Sequence, residues 1–218
     1  MSIKHLLVIL TVLAAAACGG PSFTDGPTIA QNPNPSVPQA AVVTFTASGP
    51  VETTLTISTG EREWRLSYDS SKNPANGLPV IGLYPGAEHD VAVTIRDEAG
   101  AETTATPLKF TAPPVPDGKG EFPPIEVTVN KSDQLEPGYV LFNPRRSMPG
   151  RTNLKFGSSF GMLLIVDYEG TPLWYFRNDS RVSDFEILDN GNIVYVTQDF
   201  RVIEIDWLGN IIHQWYAA

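Results

Sequence analysis

The sequence predicts an all-β chain in two parts, a small β-sandwich followed by the opening of a repeat array. Three observations carry this. Apolar residues come in short alternating runs, separated by turns rich in the chain's 19 Pro and 18 Gly. No long helical periodicity is evident beyond the first residues. A motif near the C-terminus also returns: Val166–Phe176 reappears as Ile205–Trp215, with Asp167 to Asp206 and Gly170 to Gly209 both 39 residues apart. Between the copies, Phe185–Val196 has the pattern of a hairpin. A period of about 40–45 residues with about four short strands per unit marks a β-propeller blade.

The N-terminus reads as a signal. Lys4 and His5 precede the apolar run Leu6–Leu13, then Ala14–Ala17 and Cys18. Such a run is too short for a bilayer span, which needs about 20 apolar residues. Cys18 is the only cysteine, so no disulfide forms within the chain. Alanines followed by a lone Cys resemble a bacterial lipoprotein box. The resemblance implies residues 1–17 as signal peptide, cleavage after Ala17, and lipidation of Cys18. Its further implication is an anchor in the bacterial cell envelope, periplasmic or outer-membrane facing. The alternative is an ordinary secretory signal with an incidental Cys.

Residues 18–40 are rich in Pro, Gly, Ser and Asn and are expected to be an extended tether. Residues 41–112 are the expected sandwich. Strand candidates are Val42–Thr46, the region from Val51 to Ile57, Glu61–Leu66, His89–Arg96 and Thr103–Phe110. In the fourth of these, Val91, Val93 and Ile95 face one way and Asp90, Thr94 and Arg96 the other. His89 opens that strand and is read as a surface residue. Leu83-x-Pro85-Gly86 before it resembles the fibronectin type III and immunoglobulin-like pattern. Residues 113–124 form a Pro/Gly linker, and 125–218 begin the propeller. There Ile125–Val129, Gly138–Phe142 and Gly161–Asp167 read as strands.

In the repeat, Asp167 and Asp206 are placed to bond turn donors, and Gly170 and Gly209 to supply positive φ. Trp174, Phe176 and Trp215 suit packing between blades. Asn190-Gly191 favours a two-residue type I′ turn.

The chain carries 15 Lys and Arg against 24 Asp and Glu, a formal net charge of −9. With no basic stripe, nucleic acid is a poor partner. No phosphate-binding Gly loop, metal-ligand cluster or Ser/His/Asp set is visible, and no cofactor is expected. Arg145, Arg146 and Arg151 share one loop and could bind an anion, although solvated loop charges explain them better. Asp189, Asn190 and Asn192 suggest calcium, but the stretch lacks the acidic twelve-residue loop, and a turn explains it.

GMLLIVDYEGTPLWYF (161–176), FEILDNGNIVYV (185–196) and VIEIDWLGNIIHQW (202–215) are similar to the opening blades of bacterial arylsulfate sulfotransferases. Upstream, residues 28–47, 78–95 and 137–144 resemble that family's immunoglobulin-like domain and lead-in. The resemblance implies sulfuryl transfer from an aryl sulfate ester to a phenol through a transient sulfohistidine, and it admits a homodimer. The chain's histidines are His5, His89 and His213. His213 takes the place of Trp174 in the repeat and reads as packing, so no catalytic residue is carried over. A propeller needs about four blades, and the repeat has run little more than one unit at Ala218. The expectation is an N-terminal part lacking the catalytic blades, with catalytic residues beyond Ala218. The alternative is a non-enzymatic, lipid-anchored sandwich for scaffolding or adhesion.

Overall fold

Alternation of apolar and polar residues pairs the chain into four antiparallel sheets in the computed structural model. It describes residues 19–117, 122–131, 134, 136, 138–144 and 161–216. The expected signal peptide, Cys18, the loop arginines Arg145, Arg146 and Arg151, and Ala218 lie outside the described residues.

The sandwich comprises β1 (Phe23–Gln31), β2 (Ala41–Ala47), β3 (Glu52–Thr59), β4 (Arg62–Tyr68), β5 (Leu78–Val80), β6 (Glu88–Arg96), β7 (Glu102–Thr104) and β8 (Leu108–Thr111). One sheet runs β1-β2-β5. The other runs β4-β3-β6, with β7 and β8 both pairing with β6. Ala41, Val43 and Phe45 of β2 are buried against Leu55 and Ile57 of β3 and Val91, Val93 and Ile95 of β6. Each of these strands shows one face to the core with period two. Burying one such side chain contributes roughly 1.5–3 kcal/mol. The single strand expected over Thr103–Phe110 is in fact two, β7 and β8.

Two corrections concern the sequence-based boundaries. The stretch read as a tether contains β1, which pairs with β2 from Phe23↔Ala47 to Gln31↔Ala41. Alternating Thr, Ile and Gln after Pro27 suffice for an edge strand, where Pro is tolerated. The second correction is Ile125–Val129, which is not a strand. Instead Val115, Phe122 and Ile125 pack on one face of the next sheet.

That sheet is β11 (Pro172–Asn178), β10 (Gly161–Val166) and β9 (Val140–Phe142), in that order. The last sheet is the meander β12 (Val182–Ile187), β13 (Ile193–Thr197), β14 (Arg201–Ile205) and β15 (Ile211–Tyr216). Leu163, Trp174 and Phe176 of the first meet Val182, Ile193, Tyr195, Ile203 and Ile205 of the second in one core. Trp174 lies edge-on to Trp207, centroids 5.3 Å apart, and its indole N–H donates to the Trp207 carbonyl at 3.0 Å. Trp174 and Phe176 thus pack between the two sheets, whereas Trp215 is 49% exposed.

The repeated turns are alike atom for atom. Asp167 Oδ1 accepts from the backbone N–H of Glu169 and Thr171, at 3.0 and 2.8 Å. Asp206 Oδ1 accepts from Leu208 and Asn210, both at 2.9 Å. The 188–192 hairpin closes in the same backbone pattern, with Leu188 N–H donating to Asn192 O and Gly191 N–H to Leu188 O. Gly191 has φ +81° while Asn190 is not left-handed. The hairpin is therefore not type I′, which needs both residues at positive φ. Phe200 holds the corresponding left-handed position in the β13–β14 turn, at φ +64°.

The two parts of the chain are joined by an arm. Residues 32–40 leave β1, yet Val37 and Ala40 are fully buried in the core of the two repeat sheets. Asn32 is buried and donates to Val37 O and Leu208 O, both at 2.9 Å, and its Oδ1 accepts from Asn34 N–H. Arg177 N–H donates to Ser36 O at 2.8 Å, and Gln39 Nε2 to Pro172 O at 3.1 Å. A Cβ on Gly209 would lie 2.8 Å from Val37 Cγ2, whereas one on Gly191 would meet nothing within 4 Å.

Both glycines have positive φ, so Gly191→Ala should cost about 1 kcal/mol through backbone strain. Gly209→Ala should cost at least about 2 kcal/mol, because the added methyl also displaces Val37. Urea unfolding of the two variants measures the difference, and equal losses would contradict the seating of the arm. Asn32→Ala should lower stability by about 1–3 kcal/mol, since buried carbonyls lose their donor; an unchanged urea midpoint would show the contact to be idle.

Candidate functional site

Polar side chains gather on the side of the β12–β15 sheet opposite its core. On β14, Ile203 and Ile205 face the core, so Glu204 between them points the other way. Its residue surface is 5% exposed. The strand register sets it opposite Val194 on β13 and His213 on β15. Its Oε1 accepts from Asn190 Nδ2 at 3.0 Å and Asn192 Nδ2 at 2.6 Å, and its Oε2 lies 2.8 Å from His213 Nδ1. His213 is stacked on Trp215, ring centroids 5.3 Å apart. The Asn192 amide, then the His213 and Asn190 contacts, lower the Glu204 pKa to about 2. A carboxylate held ionised cannot serve as a general acid near neutral pH. It pins the 188–192 turn, β14 and β15 together.

His213 is therefore neither a buried counterpart of Trp174 nor free: it is half exposed and held by a carboxylate. Asn190 and Asn192 spend their amides on Glu204, and no three His, Cys, Asp or Glu side chains converge to hold a metal among the described residues. A shallow depression beside this cluster is lined by Asp184, Phe185, Glu186, Val194, Tyr195 and Val196. Its two carboxylates, both on exposed residues, would repel a sulfate ester.

A second cluster lies at the opposite turns of the meander. Arg201 is ion-paired to Asp179 at 3.1 Å and Asp199 at 2.8 Å, and Ser180 Oγ donates to Asp199. The Thr197 hydroxyl, then Ser180 and Arg201, hold the Asp199 carboxyl below its ordinary range. With two carboxylates on one guanidinium, this cluster is not an anion site.

His89 corrects its sequence reading. It is fully buried rather than on the surface, on the same face of β6 as Val91, Val93 and Ile95. Tyr84 N–H donates to its Nε2 at 3.1 Å, and its ring stands edge-on to Trp64. Burial lowers its pKa. The Tyr84 phenol reaches Asp167 Oδ2 at 3.3 Å, and Arg62 pairs with Glu169 at 2.9 Å. Sequence reasoning missed this junction, although period-two alternation places His89 in phase with Val91.

The Glu204 contacts carry a pH dependence. With its folded pKa below the ordinary value, Glu204 stabilises the fold fully above about pH 4.5, and this is lost as pH falls toward about 2. The thermal midpoint should drop across that window, and Glu204→Gln should reduce the drop; an undiminished drop in the variant would assign it to other carboxylates.

The sandwich coincides with a known domain. Residues 28–112 match the family model of the arylsulfotransferase Ig-like domain, from within β1 to the residue after β8. No curated protein matches the chain. Residues 28–112 are thus similar to the Ig-like domain of arylsulfotransferases.

Proposed function

We propose that the chain is the N-terminal part of a lipid-anchored arylsulfotransferase of the bacterial cell envelope, held through acylated Cys18. In this reading the two sheets after the sandwich are the first blades of a propeller. The observation that carries it is the Ig-like domain over residues 28–112, whose arm is built into the core of the sheets that follow. Two further features support the propeller: the Asp167 and Asp206 turns repeat the same hydrogen bonds, and the meander leaves Val196 and Trp215 exposed on one face, where a neighbouring blade would pack.

The reaction proposed for the complete enzyme is sulfuryl transfer in two steps. A histidine nitrogen attacks sulfur, and the S–O bond to the departing phenolate breaks. The acceptor phenol then attacks sulfur, the N–S bond breaks, and the phenolic proton goes to a base. Neither described histidine suits the nucleophile. His89 is sealed in the sandwich core, and His213 is bound to Glu204, a carboxylate that disfavours an anionic substrate. The chain's own contribution is the scaffold on which the chemistry is mounted.

The test is an assay with a chromogenic aryl sulfate and a phenol acceptor. It is run on the 218-residue chain and on the product of any reading frame continuing past Ala218. Transfer is expected from the continued product and not from the 218-residue chain. Transfer by the short chain would relocate the chemistry, and a folded continued product without transfer would contradict the activity.

A further inference from the structure

The sandwich grips the repeat sheets through contacts of two characters. The apolar one is the arm, with Val42 and Ile81 packed against the same core, and its anchors Val37 and Ala40 carry no titratable group. The other is polar and centres on Tyr84. Its phenol bonds Asp167 Oδ2 at 3.3 Å, and Arg62 lies 4.7 Å over its ring while pairing with Glu169 at 2.9 Å. Asp167 Oδ1 meanwhile holds the turn of the first repeat. The loop bearing Tyr84 is in turn fixed from inside the sandwich, where the Tyr84 amide donates to His89 Nε2 at 3.1 Å. One line of contacts therefore runs from a buried imidazole to the repeat.

That line requires a neutral ring. Nε2 can accept only while it carries no proton, and a doubly protonated imidazole would turn a second N–H toward the Tyr84 N–H. The ring's surroundings offer a cation little compensation. On β6 itself, Glu88 and Asp90 are paired with Lys109 of β8. Phe110 of β8 stands opposite His89, and β4 presents Trp64 to the ring. The remaining β4 charges nearby are Arg62, paired with Glu169, and Glu63, paired with Arg65. Nδ1 makes no well-formed hydrogen bond.

We propose that His89 is an acid-operated latch: protonation expels the Tyr84 amide and releases the sandwich from the first repeat turn, with the 32–40 arm left as the pivot. Burial lowers the His89 pKa, and the backbone at Phe110 and Ala87 opposes this only in part. An opened His89 regains the ordinary value of 6.5. The closed state is thus favoured above that pH and weakens as pH falls below it. The latch does not depend on the sulfuryl-transfer reading.

Hydrogen exchange of the 218-residue chain, corrected for the intrinsic pH effect, tests it between about pH 7.5 and about pH 5. Protection of the Tyr84 amide and of residues 167–171 should fall about tenfold for each pH unit over which the opened ring takes up a proton that the closed ring does not. Protection of residues 37–40 should hold. His89→Gln offers an uncharged acceptor and should keep both segments protected at both pH values. Tyr84→Phe should loosen residues 167–171 at both while leaving the residue-84 amide protected. Equal protection of the wild type at both pH values, or the same loss in His89→Gln, would overturn the latch. Should His89→Gln not fold, NMR titration of the His89 ring decides: a ring that gains its proton with no change at residues 167–171 also overturns it.

Discussion

The structure depends on where Val37 and Ala40 are buried. Both belong to the arm between the first two strands of the sandwich, yet the core that hides them is that of the repeat sheets. The sandwich core closes with its own residues, whereas the repeat core needs the arm. Without the arm, Leu163, Trp174, Phe176 and Leu208 would face a gap, and loss of buried apolar contact of that kind costs kilocalories rather than tenths. The polar groups obey the same constraint. Asn32 satisfies Val37 O and Leu208 O together, so a side chain of the sandwich completes a turn 176 residues away. Gly209 lacks a Cβ at the point where Val37 Cγ2 approaches most closely.

Much of the fold was legible because it follows from local period. β2, β3 and β6 alternate cleanly, and their apolar sets form the sandwich core. The 39-residue step of the Asp and Gly residues marked two turns that share their hydrogen bonds. The arm was not legible, because Asn, Pro and Ser composition gives the local cost of order and not the distant partner that repays it. Asn32 looks like a turn residue until Leu208 is beside it. The 188–192 hairpin shows a finer limit. Asn-Gly fixes where a chain reverses, but the ladder on either side decides the loop length, and pairing of Ile187 with Ile193 leaves one left-handed residue rather than two.

The candidate site was less legible than the fold. His213 was found by its place in the repeat, but its partner Glu204 was not, since a carboxylate in an apolar strand gives no local sign of the amides that meet it. His89 was recoverable in principle. Its spacing of two from Val91 puts it on the buried face, but its polarity argued for the surface. In both clusters the histidine is held by structural partners: one accepts a backbone amide and the other meets a buried carboxylate. Both contacts hold neighbouring strands and turns in place. The likeness to arylsulfotransferases rests on the Ig-like domain over residues 28–112.

The arm's role as the joint between two cores is tested most directly by hydrogen exchange of the whole chain in rising urea. Amides of β3 and β6, of β10 and β11, and of Val37 and Ala40 are followed together. If the arm joins the cores, the arm amides open with β10 and β11 at one urea concentration, and the sandwich strands open with them. Arm amides that exchange early, with the two cores opening at separate urea concentrations, would contradict it.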